Sequence, residues 1–118
     1  MRKLYFDQFE FEDIAAEESL EIDVARKKQG HVVHFGDVCE FVVASAGEAA
    51  VEKLGHGRPF DDRASFCSVR AYLKRFANID VPHPCDWQMY VLFEDNLEWD
   101  GVFESPTMFI RYHWSSTA

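Results

Sequence analysis

WQMYVLFEDNLEWDGVFESPTMFIRYHW, residues 87–114, reads as three antiparallel strands joined by two short turns. Alternate residues of a strand share a face. Trp87, Met89, Val91 and Phe93 therefore go together, as do Leu97, Trp99, Gly101 and Phe103, and then Met108, Ile110, Tyr112 and Trp114. Setting all three groups on one side requires Phe93 opposite Leu97 and Phe103 opposite Met108. The first loop is then Glu94-Asp95-Asn96, with Asn96 in the left-handed conformation. The second is Glu104-Ser105-Pro106-Thr107, with Pro106 suited to the second position of a type I turn. A two-residue loop at Asp95-Asn96 would set Phe93 against Glu98 and split the apolar face. The same register places Asp100 opposite Arg111, Glu98 opposite His113 and Val102 opposite Phe109, so the reverse face also matches in charge and polarity. The front face must be buried, whereas the mixed reverse face is either half covered or a place where a partner docks.

Working outward, 118 residues with 47% hydrophobic and 15% aromatic content suit one domain with an ordinary packed core. Lys3 to Phe6 reads as a short strand. Phe9 to Ser19 carries Phe11, Ile14, Ala15 and Glu18 at helical spacing behind an Asp7/Glu10 capping box, which predicts an acidic helix. Leu20, Ile22 and Val24 alternate with polar neighbours, so residues 20–24 form a strand. After the polar turn ending at Gly30, residues 31–35 form another, with Val24 facing Val33 and Ile22 facing Phe35. In the 38–54 segment, Asp37/Glu40 and Ser45/Glu48 both resemble capping boxes. Phe41, Val42 and Val43 nevertheless favour a strand over 39–44, followed by a helix over 46–54 closed by Gly55. Asp61 or Asp62 caps a helix to about Phe76 with Phe66, Val69, Leu73 and Phe76 on one stripe, and Lys74 and Arg75 complement its dipole. The resulting expectation is a single α+β domain with two antiparallel β-meanders, one C-terminal over 87–114, packed against about three helices.

Charge narrows the function classes. A formal charge of −9 opposes neutralisation of a phosphate backbone, so no direct nucleic-acid binding is expected. It suits attraction to a basic protein. The acid-rich start (Asp7, Glu10, Glu12) interrupts any leader-type apolar run, and nowhere is there an apolar run of bilayer length, so the expectation is a cytoplasmic chain without a membrane segment. Three separated cysteines, Cys39, Cys67 and Cys85, suit reduced thiols. His31-x-x-His34-x4-Cys39 and His83-Pro84-Cys85 offer metal-ligand types at spacings that specify no site. Gly55-His56-Gly57 lacks the setting of a phosphate loop. No metal and no cofactor are expected.

Two arrangements of chemistry-bearing residues remain. The first is a docking patch for a basic protein partner, in which Glu94, Asp95, Glu98, Asp100, Glu17 and Glu18 supply charge and Tyr90 and Phe109 supply rings. A small acidic binding protein of this kind would block a nucleic-acid-handling protein, in the manner of an immunity protein or a phage-type inhibitor. The second is an acid/base cluster in which His113 is oriented by Glu98 beside Asp100 and Arg111, as a small enzyme or ligand-binding domain would use. A homodimer through the reverse face of the meander is the third arrangement the sequence allows.

Overall fold

The computed structural model describes residues 2–6, 18–28, 30, 34–59, 66–81 and 87–116. Six strands, β1 (Arg2–Phe6), β2 (Glu18–Arg26), β3 (Arg58–Pro59), β4 (Gln88–Glu94), β5 (Glu98–Glu104) and β6 (Met108–Ser116), form one sheet in the order β1-β2-β6-β5-β4-β3. Each pair of neighbours runs antiparallel. Helices α1 (Val38–Ala46), α2 (Glu48–Val51) and α3 (Phe66–Ala77) complete an α+β fold.

The apolar face expected for residues 87–114 is the main core. Trp87, Met89, Trp99, Phe103, Ile110 and Tyr112 pack with Leu20, Ile22 and Val24 from β2 and with Val69 and Leu73 of α3. Trp99 stacks on Phe103 with ring centroids 5.8 Å apart. Its ring also lies over Gly101, where any side chain would meet the Tyr90 carbonyl oxygen at 2.7 Å. Gly101→Ala is therefore expected to cost about 2 kcal/mol, because the obstacle includes backbone that cannot rotate away. Chemical denaturation checks this, and a cost near zero would mean that the two strands part easily.

Alternation within each strand assigns the faces correctly as far as Leu92 in β4 and throughout β5 and β6, but the register differs by two residues, and by three in β4 beyond Leu92. Met89 pairs with Phe103, and Phe103 with Ile110 rather than Met108. A shift of two leaves every side chain on its expected face. Local hydrogen bonds explain it. Asp95 Oδ1 accepts from the backbone N–H of Leu97 and of Glu98, both at 2.8 Å, so Asp95 opens the first turn. Ser105 Oγ accepts from the N–H of Thr107 and Met108 at 3.1 and 2.9 Å and so sets the second. Side-chain capping of this type moves a turn without any change in hydrophobic pattern. Among the described residues the non-glycine with positive φ is Asn78 (φ 53), at the end of α3, and not Asn96.

Three other expectations are corrected. The second meander is not a separate unit. Ile22 pairs with Leu4 of β1 and Tyr112 of β6, so both edges of β2 are taken and Phe35 cannot lie beside it as a strand partner. Phe35 instead bridges Lys27 and rests edge-on against Phe41; residues 31–33 lie outside the described residues. Residues 39–44 are helical rather than extended. Asp37 caps α1 by accepting from Glu40 N–H at 2.9 Å, and Glu40 Oε2 accepts from Gly36 N–H at 3.0 Å. Val38, Phe41, Val42 and Ser45 then fall on one helical stripe, which covers Ala25, Val102 and Phe109 on the reverse face of the sheet. Burial of that stripe outweighs the strand preference of Phe41-Val42-Val43, since β propensity spans only about 1 kcal/mol. The chain leaves α1 at Gly47 (φ 93), and α2 begins one residue later, so the expected 46–54 helix shrinks to 48–51. The Asp61 or Asp62 cap, residues 31–33 and nearly all of the expected 9–19 helix lie outside the described residues; its last two positions open β2.

Candidate partner-binding face

Helices α1 and α2 cover only part of the reverse face. Beyond them, five residues lie in one row across five strands: Tyr5, Glu21, His113, Asp100 and Phe93 are successive partners from β1 to β4. Four inter-strand spacings of about 4.8 Å separate the two end rings by roughly 19 Å. Tyr5 is 61% exposed and Phe93 40%. Phe93 reaches this face through an irregularity in β4 between Val91 and Phe93, which moves it from the apolar set to a position opposite Asp100. Leu97, in the adjoining turn, is 45% exposed.

An ionic network holds the middle of the face. Arg111 donates from Nε and Nη2 to the two oxygens of Asp100 at 2.9 and 2.8 Å, and from Nη1 to the Ser45 carbonyl at 3.1 Å. That carbonyl belongs to the last turn of α1, where the helix dipole favours a cation, and α1 has no basic residue of its own there. His113 Nε2 lies 2.6 Å from Glu98 Oε2, and Nδ1 lies 3.4 Å from Arg111 Nη2. An arginine N–H can only donate, so the tautomer that satisfies both contacts is the one in which Nδ1 accepts and Nε2 donates to Glu98. The expected Asp100/Arg111 and Glu98/His113 pairs thus form, although diagonally rather than directly opposite.

Asp23, in the next row, has no exposed surface. Lys3 Nζ stands 3.3 Å from one oxygen and Arg111 Nη1 3.5 Å from the other, but neither makes a hydrogen bond with it. Burial pushes its pKa above the ordinary 3.8, against the attraction of Lys3 and Arg111. Between the ordinary value and the raised one, the folded chain keeps a proton that the unfolded chain has released. The contribution of this residue to stability accordingly grows as pH falls through the raised pKa and levels off below the ordinary range. Asp23→Asn, which resembles the protonated form, is expected to be more stable than the native chain at pH 8 and equal to it near pH 4. Denaturant midpoints of the two chains across that interval check the sign, and a native chain that wins at pH 8 would reverse it.

Alongside this network runs an open groove of about 390 Å³, lined by Ala46, Ala49, Ala50 and Lys53 and by Leu92, Phe93, Glu98, Asp100, Arg111 and His113.

The other expected docking residues are placed differently. Phe109 has no exposed surface and stacks on Phe41 at 5.3 Å, so its ring is not offered to a partner. Tyr90 is half buried and donates its hydroxyl to Glu104 at 2.9 Å, and burial and that acceptor push its pKa up to about 12. Glu94 accepts from the Trp99 indole N–H at 2.9 Å, and Asp95 is engaged in its turn. Glu17 and the side chain of Glu18 lie outside the described residues, as do His31, His83, Cys85 and the side chain of Cys67. Tyr5, Glu21, Phe93 and Lys53 were not expected. Tyr5 and Lys3 alternate in β1 in a way that would have put them beside Glu21 and Asp23 once the pairing of β1 was known. Phe93 left no signal, because nothing in its neighbours announces the irregularity.

Among the described residues, no helix is long and apolar enough to cross a membrane. Comparison with protein-family models, with curated proteins and with solved structures finds no match.

Proposed function

We propose that this chain is a non-catalytic binding protein that covers a basic surface on another protein. The observation that carries the proposal is the row from Tyr5 to Phe93: exposed rings at both ends and carboxylates between them, on a partly exposed sheet face of a chain with net charge −9. Rings at such positions supply affinity, whereas charge sets the encounter rate and excludes acidic surfaces. Carboxylates on a rigid sheet can stand in for a few phosphates, so the basic surface in this reading is one that handles nucleic acid. Immunity proteins and phage-type inhibitors act by occupation of that kind, and the chain itself contacts no nucleic acid.

A second reading, an acid/base site at His113, has the short bond to Glu98 inside the groove in its favour. It is weakened because both ring nitrogens already face protein groups, which leaves neither for a substrate. A homodimer through this face would set Glu21, Glu98 and Asp100 against their own copies, and like-charge repulsion opposes that.

Affinity capture from the host cell, with identification of the bound protein, tests the proposal. The expected partner is basic, is released by raised salt, and is not retained by a chain carrying Tyr5→Ala and Phe93→Ala. Retention indifferent to both salt and the two rings would overturn it.

A further inference from the structure

We propose that the groove beside Phe93 seats one arginine side chain of the partner, with the guanidinium flat against the Phe93 ring and paired with Glu98. The inference rests on the docking reading and names the chemistry of its central contact. At about 390 Å³ the groove lies at the low end of the range for small-ligand pockets, which is room for one or two long side chains.

The sign of the ligand follows from which charges are already spent. Arg111 is 5% exposed, and its donors go to Asp100, Ser45 and His113, so it offers nothing to an anion. His113 is engaged at both nitrogens. Glu98 uses Oε2 for His113, while its side chain remains 38% exposed and Oε1 makes no hydrogen bond among the described residues. Of the groove's charged side chains, Glu98 and Lys53 therefore keep capacity, and the chain's net charge of −9 favours the carboxylate as the group that meets a partner. Lys53, exposed, opposes a cation and weakens its binding.

The choice of guanidinium over ammonium follows from the ring and the small walls. A guanidinium is planar and weakly hydrated, stacks on aromatic faces and presents paired donors to a carboxylate. An ammonium is compact and strongly hydrated, and loses more water in entering a slot lined by three alanines and a leucine. Arg111 holds Asp100 with this geometry, through two parallel hydrogen bonds.

The test is an NMR titration of the full chain with N-acetyl-arginine methylamide, followed at His113 and Phe93, with the lysine and glutamate analogues as comparators. Saturable shifts are expected in the millimolar range, about threefold weaker for the lysine analogue and absent for the glutamate one. Lys53→Ala is expected to tighten binding about twofold by removing a like charge, and Phe93→Ala, at an exposed position, to weaken it about fivefold. Equal binding of the lysine analogue, binding of the glutamate analogue, weakening by Lys53→Ala, or no saturable shift would each overturn the inference. Should that happen while capture of the basic partner still depends on salt and on the two rings, the docking reading stands and only the arginine seat is lost.

Discussion

Arg111→Leu is expected to destabilise the fold by about 3 kcal/mol, because it removes the cation that both Asp23 and Asp100 approach and leaves two poorly exposed carboxylates without it. A stable domain holds only about 5–15 kcal/mol in reserve, so the loss is large. The cost also carries a pH signature. Asp23 already holds its proton more tightly than an ordinary carboxylate. Losing Arg111 removes one of the attractions that lower its pKa, so acid relieves part of the damage by neutralising it. The destabilisation is therefore expected to be greater at pH 8 than at pH 5, and Asp23→Asn in the same chain should recover part of it. Denaturant midpoints for the single and double variants at both pH values provide the check. A cost below about 1 kcal/mol, or one that grows in acid, would mean that the network is a wet surface arrangement, since exposed ion pairs are worth no more than that.

The second large effect is on binding. Tyr5→Ala and Phe93→Ala are each expected to weaken the partner complex by about 2 kcal/mol, roughly 30-fold, in the manner of ring anchors in a protein interface. Stability should stay within about 0.5 kcal/mol of the native value for Tyr5→Ala, whose ring is mostly exposed, and fall by about 1 kcal/mol for Phe93→Ala, whose ring is partly buried in the groove. Calorimetry or surface plasmon resonance with the captured partner, alongside thermal unfolding, separates the two quantities. The association rate should also fall as salt rises from low to physiological values, since the carboxylates act through a field screened over about 8 Å at physiological ionic strength. Unchanged affinity in both ring variants would move the interface to another face. Reversing Asp100 would be a poor test, since its carboxylate holds Arg111 and any loss of binding could reflect loss of the sheet.

The α+β class, the C-terminal strands and the faces of nearly all their residues were legible in the letters, because strand periodicity survives a register shift of two. The Asp100/Arg111 and Glu98/His113 pairs were legible for the same reason: long side chains bridge the diagonal neighbour as readily as the direct one. What failed has separate causes. Residues 39–44 carry strand-forming side chains, and only the Asp37/Glu40 cap, together with the need to cover Val102 and Phe109, makes them helical. Phe109 was read as a docking ring because alternation tells which face a residue takes and not which helix will lie on top of it.

From sequence alone came the three C-terminal strands, the sidedness of most of the sheet and the acidic balance, since each depends on residue type and on spacing along one chain. Tertiary structure alone decided that β2 inserts between β1 and β6, that α1 seals one half of the reverse face, and that Phe93 turns to join the carboxylates on the other half. These outcomes depend on which surfaces compete to bury the same apolar area, a comparison across residues as far apart as Glu18 and Ser116 that no local pattern encodes.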